Sequence, residues 1–161
     1  MTSAAVSFVL RDARADEAAV ISDLAMRSKA YWGYTADFMA QCRGELEIDA
    51  ARLKDAAFTY RVAEHGGEPI GFHAIHDLAP GRFELEGLFV APDYIGHGVG
   101  KALIVDALQL VRAQGGGEIL IQGDPNAERF YLAAGARQIG TRESGSIAGR
   151  HLPLFQIDVA P

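Results

Sequence analysis

Two clusters of residues have the types and spacing for chemistry. Gly96, Gly98 and Gly100 stand at alternate positions between the apolar run Leu88-Phe89-Val90 and the amphipathic stretch that begins Val99-Gly100-Lys101-Ala102-Leu103; Ile95, His97 and Val99 fill the places around them. A strand, a glycine turn and a helix start can aim several backbone N–H groups at one point. The helix dipole adds partial positive charge there, which suits an anion such as a phosphate. Glycine permits the close approach and positive φ that such a turn needs. Upstream, Glu84 and Glu86 alternate with Phe83 and Leu85. Two-residue spacing on a strand puts both carboxylates on one face, with Leu88 and Val90 beyond them. If both enter a cleft, their repulsion raises one pKa toward the range of a general base; otherwise they form the solvated face of an antiparallel strand.

Two common phosphate loops do not fit. In a dinucleotide-binding G-x-G-x-x-G started at Gly96, the third glycine would fall on Lys101. In a G-x-x-x-x-G-K-[ST] loop ending at Gly100-Lys101, the first glycine falls on Ile95 and the hydroxyl on Ala102. The segment instead resembles the pyrophosphate loop of the GNAT N-acyltransferase superfamily, V-x-P-x-x-[RQ]-x-x-G-x-[GA]-x-x-L. Val90, Pro92, Gly98, Gly100 and Leu103 match it, and Ile95 replaces the usual Arg or Gln. A second stretch, Asn126 to Ala136, resembles the later family motif N-x-x-A-x-x-F-Y-x-x-x-G-F. Ala127, Phe130, Tyr131 and Gly135 match; Asn126 is displaced to the position next to Ala127, and Ala136 replaces Phe. The resemblance covers roughly residues 7–159, with its specific part in 84–136.

The resemblance implies an α/β fold with a central, mostly antiparallel sheet split between two parallel strands and flanked by helices, forming one domain over residues 1–161. It implies an acetyl-CoA-dependent N-acyltransferase acting on a primary amine of a small molecule or peptide by direct attack in a ternary complex, without a metal. The implied cofactor contacts are Leu88, Phe89, Val90, Ile95, Gly96, His97, Gly98, Val99, Gly100, Lys101, Asn126 and Phe130. Tyr131 matches the family tyrosine that points toward the cofactor sulfur, and so would be the acid for the leaving thiolate. Asn126 would contact the pantetheine arm, although it or Asp124 can equally cap the helix behind Pro125. Family bases often come from the strand before the loop, which favours Glu86 over Glu84 as the nearer to it. The family's acceptor pocket often includes the segment between the first two helices. Here that segment holds Tyr31, Trp32 and Tyr34, which can enclose an amine or simply cluster between helices. The rival class is a catalytically silent acyl-CoA-binding module that senses the cofactor or mediates assembly.

Composition fits a compact enzyme. The chain has 161 residues, 49% of them hydrophobic, enough for one domain with a sizeable core. Fifteen Lys and Arg against 21 acidic residues give a net charge of −6 and no basic footprint for nucleic acid. The single Cys42 has no internal disulfide partner, reads as a small buried side chain rather than a nucleophile, and fits a reducing, cytoplasmic setting. Met1 to Val6 lacks the features of a signal peptide, and no run approaches the roughly 18 apolar residues of a membrane helix. A homodimer is compatible with all of this.

The elements that must position these groups are legible in the pattern. Val6–Leu10 is expected to be a strand. Asp16 is expected to cap a helix that turns Val20, Ile21, Leu24, Ala25 and Ser28 to one face. Gly33 marks a break, and Thr35 caps a second helix carrying Phe38, Met39 and Cys42. Ala57–Ala63 and Pro69–Asp77 are strands joined by a hairpin at His65-Gly66-Gly67-Glu68, and Arg82–Val90 leads into the glycine turn. Leu103, Ile104, Ala107, Leu108 and Val111 stripe the next helix, which Gly115-Gly116-Gly117 ends. A strand at Glu118–Gln122, a helix at Pro125–Ala134 and strands at Ala136–Arg142 and Leu154–Val159 complete the chain. Arg82–Val90 and Glu118–Gln122 are expected to be parallel and to diverge. His73 and His76 fall on opposite faces of their strand, either as a proton shuttle or, more often for such residues, in structural roles.

Overall fold

A computed structural model describes residues 6–159; the first five residues, part of the stretch read above for a leader, lie outside the described residues. Seven strands form one sheet in the order β1-β2-β3-β4-β5-β7-β6. These are β1 (Val9–Asp12), β2 (Phe58–His65), β3 (Glu68–Ala79), β4 (Arg82–Val90), β5 (Glu118–Gln122), β6 (Arg137–Glu143) and β7 (His151–Asp158). All neighbours are antiparallel except β4 and β5, whose parallel crossover is the helix α4 (Val99–Ala113). The fold class is the one expected.

The two faces of the sheet are covered separately. On one, Ile21, Leu24 and Ala25 of α1 (Ala18–Ala30) pack on Tyr60, Val62, Phe72 and Ala74. The helices α2 (Ala36–Leu46) and α3 (Ala50–Lys54) extend this side. On the other, Ile104, Ala107 and Val111 of α4 and Tyr131 of α5 (Glu128–Ala133) pack on Phe83, Leu85, Ile119, Ile121, Phe155 and Ile157. The apolar stripe of α4 is therefore the one read from its 3.6-residue period. In α1 the stripe is narrower than expected, because Val20 is 48% exposed.

Three local readings are corrected. β1 begins at Val9 and runs through Asp12, because Val9–Asp12 pair with Arg61–Glu64 of β2. Asp16 does not cap α1: a 3₁₀ turn over Ala15–Glu17 precedes the helix, and Glu17 is the organising carboxylate. Glu17 accepts the Arg14 N–H at 2.7 Å and both terminal nitrogens of Arg11 at 2.8 Å, with only 5% of the residue exposed. One turn of helix, α3, was not anticipated. Its five residues are too few for a periodic pattern, and its one local sign is Asp49, whose carboxylate accepts the Arg52 N–H at 2.8 Å. By contrast Thr35 caps α2 as expected, accepting the Phe38 N–H at 3.1 Å.

A β-bulge in β4 alters which residues share a face. Gly87 pairs with Ala74 and Leu85 with Ile75, so Glu86 is the extra residue. Strict alternation would put Leu88 and Val90 beside Glu84 and Glu86. The extra residue instead returns Leu88 to the face of Phe83 and Leu85, under α4, with Val90. Glu84, Glu86 and Phe89 face α1–α3.

The Arg11–Glu17 pair closes the chain entry into α1. Hydrogen bonds from Arg11, against an opposing effect of burial, hold the Glu17 carboxyl at about 2 rather than 4.5. A depressed carboxylate stabilises the fold above its unfolded pKa and loses that contribution as pH falls from about 4.5 toward 2. Glu17→Gln should therefore cost about 2 kcal/mol at pH 7. Urea unfolding at pH 7 and pH 3 should show the gap between wild type and variant shrinking at the lower pH.

Candidate functional site

β4 and β5 pair only from Arg82–Leu85 to Glu118–Ile121, and then separate. Ala91 N–H donates to Ile70 O at 2.8 Å, so alternation turns the N–H and C=O groups of Leu88 and Val90 away from β3, into the gap. A cleft of about 540 Å³ occupies the gap and reaches both faces of the sheet.

One end of the cleft is the start of α4. Ala102 N–H makes the first helical hydrogen bond, to Gly98 O at 3.1 Å, which leaves the N–H groups of Val99, Gly100 and Lys101 without intrahelical partners. No side chain caps this end. Gly98 has φ +83°, a backbone that L side chains rarely adopt. At Gly100 a Cβ would sit 3.2 Å from the Phe130 ring, so the glycine lets α4 and α5 approach at the cleft wall. Three uncapped donors with the positive end of a 15-residue helix behind them are a geometry that can receive an anion.

Of the residues singled out in the sequence, Glu84, Glu86, Leu88, Phe89, Val90, Ile95, Gly96, Gly98, Gly100, Lys101, Asn126, Phe130, Tyr131 and Trp32 line this cleft. The side chains of His97, Val99, Tyr31 and Tyr34 do not. His97 lies edge-on to Tyr94, and Val99 is wholly buried in the contact of α4 with β2 and β3. Tyr31 is 54% exposed, edge-on to Trp32.

Tyr34 has a different task. Its hydroxyl donates to Asp124 Oδ2 at 2.6 Å and accepts from Asn126 Nδ2 at 3.1 Å and Arg150 Nη2 at 2.9 Å. Its ring stacks on Phe38 at 4.2 Å, and Lys29 approaches Asp124 at 3.4 Å. The cluster ties the end of α1, the turn before α5 and the β6–β7 hairpin together at the cleft mouth. Burial alone would raise the Asp124 carboxyl, but the hydrogen bonds from Tyr34 and Asn126 outweigh it and hold it low. Asp124, not Asn126, caps the turn, accepting the Asn126 N–H at 2.9 Å. Asn126 Nδ2 is held by this network, which leaves Oδ1 without a partner among the described residues. Lys29 and Arg150 were not singled out in the sequence, and Asp124 only as a cap, because the three come from separate segments that no local pattern joins.

The two glutamates have unlike surroundings. Arg142 donates to Glu84 Oε1 at 2.5 Å. Glu86 has only looser partners, Arg52 at 3.7 Å and His76 at 3.9 Å. Burial, and next the charge of Glu84, push its carboxyl above the ordinary glutamate value. His76, Glu84 and Glu86 bring ligand atoms within 4.8 Å of one another, a geometry a cation can use, although two guanidinium groups already stand beside the carboxylates. His73 is fully buried on the α4 face, bonded through Nε2 to Asp106 at 2.7 Å. It does not line the cleft.

Tyr131 is 7% exposed and lines the cleft. Its hydroxyl makes no hydrogen bond among the described residues. Burial raises its pKa further, with a smaller push from Asp124, so the phenol stays protonated at neutral pH.

A sequence profile of the acetyltransferase (GNAT) family matches residues 21–136. The chain belongs to that family. Among curated relatives, a phosphinothricin N-acetyltransferase of Alcaligenes faecalis is 37% identical over 76 residues, which span 45% of this chain and 38% of the relative. Among solved structures, the PaiA N-acetyltransferase of Thermoplasma acidophilum in complex with coenzyme A superposes with a TM-score of 0.79 at 17% identity, covering 95% of this chain and 99% of the other. A GCN5-related N-acetyltransferase from Rhodopseudomonas palustris also superposes at 0.79, with 21% identity and coverage of 98% and 99%. At such identities the likeness establishes the GNAT fold. Among the described residues no helix is long and apolar enough to cross a membrane.

Proposed function

We propose that this GNAT protein transfers an acetyl group from acetyl-CoA to a primary amine. The observation that carries the reading is the gap between β4 and β5: the uncapped start of α4, unpaired backbone groups, a protonated phenol and a carboxylate of raised pKa all meet one cleft. The thioester supplies an activated acyl group; the protein's task is binding, orientation and proton handling.

The N–H groups of Val99, Gly100 and Lys101 would hold the pyrophosphate. Ile95, where the family motif has Arg or Gln, adds no charge there, which leaves the backbone and the helix dipole to hold it. The free N–H and C=O groups of Leu88 and Val90, with Asn126 Oδ1, suit the amides of an extended pantetheine arm, as an added strand would. Tyr131 would give its proton to the departing thiolate. Glu86, with its raised pKa, would take the proton from the amine, directly or through water. Glu84 is paired with Arg142, and its charge would add to the raising of Glu86. The coenzyme A complex of the PaiA neighbour supports the cofactor assignment by analogy of fold.

A broad amine screen following CoA release from acetyl-CoA tests the activity. Tight CoA binding without transfer to any amine would favour the silent acyl-CoA-binding module instead. Calorimetry tests the anion site: Gly98→Val and Gly100→Leu should each weaken CoA binding severely while circular dichroism stays native, and unchanged affinity in both would remove the site. Tyr131→Phe keeps the ring and loses the proton; kcat should fall by roughly 10²- to 10⁴-fold with CoA affinity nearly unchanged. For Glu86, kcat/KM should rise with pH through an ionisation above the ordinary glutamate range, because the carboxylate is the active form. Glu86→Gln should remove that limb, and a limb that persists in the variant would reassign the base.

A further inference from the structure

The cleft continues through the sheet. On the α4–α5 side it is the groove assigned above to the cofactor. On the α1–α3 side it opens into a second lobe. The floor of that lobe is Tyr60, Phe72, Ala74 and Phe89 from the sheet, with Cys42 and Leu46 from α2. Phe72 and Ala74 are each 1% exposed and form a rigid base, over which the half-buried Phe89 and Leu46 supply the accessible apolar surface.

Charge is confined to the rim. Glu45, Glu84 and Glu86 reach it, and Arg52 is the cation among them. Arg52 lies over the Phe58 ring at 4.3 Å and stands 3.7 Å from Glu86. Arg142 is committed to Glu84. Lys29 and Arg150, farther along the mouth, are committed to Asp124 and Tyr34. Three carboxylates thus face the entrance of an apolar floor, and each nearby cation is already paired.

We infer that the acceptor is a monoamine on a compact, apolar, ring-sized body, which lies on this floor with its ammonium drawn to Glu86 at the gap. The inference rests on the transferase reading above. An apolar body gains from covering Phe89 and Leu46, the half-buried apolar residues of the lining. A polyamine or an aminoglycoside would press amino and hydroxyl groups onto rings that cannot bond them. An α-amino acid or phosphinothricin would bring an anion to a rim of three carboxylates whose neighbouring arginines, Arg52 and Arg142, are already paired with two of them, so no free cation meets it there. Transfer joins the acetyl carbon to the amine nitrogen and breaks the carbon–sulfur bond. The ammonium first loses one proton to Glu86, which frees the nitrogen lone pair; the second proton leaves nitrogen after attack, through water, and replaces the one that Tyr131 gives to the departing thiolate.

The experiment compares kcat/KM at saturating acetyl-CoA for 2-phenylethylamine, phenylalanine, phosphinothricin and spermidine. Phenylethylamine should exceed each of the others by about 10-fold or more. A preference for any of the other three, with CoA binding intact, overturns this inference and leaves the transferase reading standing. Failure to bind CoA, or to release it with any amine of the panel and the broader screen, overturns both. Leu46→Trp fills the lobe from the half-buried end of α2, and Ala74→Leu fills it from the sheet. In whichever variant keeps native circular dichroism and CoA affinity, KM for phenylethylamine should rise about 10-fold. An unchanged KM would place the acceptor elsewhere.

Discussion

The site depends on one interruption of pairing. β4 and β5 share only Arg82–Leu85 and Glu118–Ile121, and beyond Leu85 the parallel ladder ends. At that point the bulge at Glu86 adds a residue to β4, bending and twisting the strand. Continued pairing would fill the gap with hydrogen bonds and leave no passage. The interruption costs unsatisfied backbone groups at Leu88 and Val90. That cost is tolerable because the gap opens into a cleft where water or an extended ligand can satisfy them.

Polar networks, largely part-buried, hold the two sides of the gap in place. On the α4 side, His73 and Arg61 converge on Asp106, with distances of 2.7 and 3.1 Å to Oδ2. Burial works against the Asp106 charge, yet these hydrogen bonds keep its carboxyl at about 2. The helix whose N-terminus forms the anion site is thus pinned to β2 and β3 by a charged bond beneath its apolar stripe. At the cleft mouth, Tyr34, Asp124, Asn126 and Arg150 join three segments that are distant in sequence. Nearly every group in these clusters has a partner, which is what lets them rigidify rather than weaken the surrounding structure. His73 Nδ1 is the exception among the described residues, being buried without a partner.

Electrostatics separate two glutamates that the sequence presents as equals. Glu84 sits under Arg142, whereas Glu86, one step along the same face, sees its cations only at 3.7 and 3.9 Å. Coulomb attraction falls with distance, but the larger effect on Glu86 is loss of water, which raises the pKa of this loosely paired carboxylate. The same neighbourhood gives the acceptor lobe an apolar floor and an acidic rim.

Much of this was legible in the residues alone. The spans of β4 and β5 follow from short apolar runs bounded by Gly and Pro, the stripe of α4 from its period, and the anion turn from alternating glycines ahead of a helix. Each of these is a local rule, decided within a few residues by backbone sterics and side-chain period. Tertiary structure decided the rest. The bulge moved Leu88 and Val90 to the face opposite Glu84 and Glu86, because register depends on the partner strand and not on the strand itself. Glu17 displaced Asp16 because Arg11 stands across from it. Tyr34 became a hydrogen-bond hub through Asp124, ninety residues away. Which carboxylate is the freer one, and what the cleft can enclose, follow from such long-range pairings, since charge and burial are properties of the whole packed chain rather than of any segment.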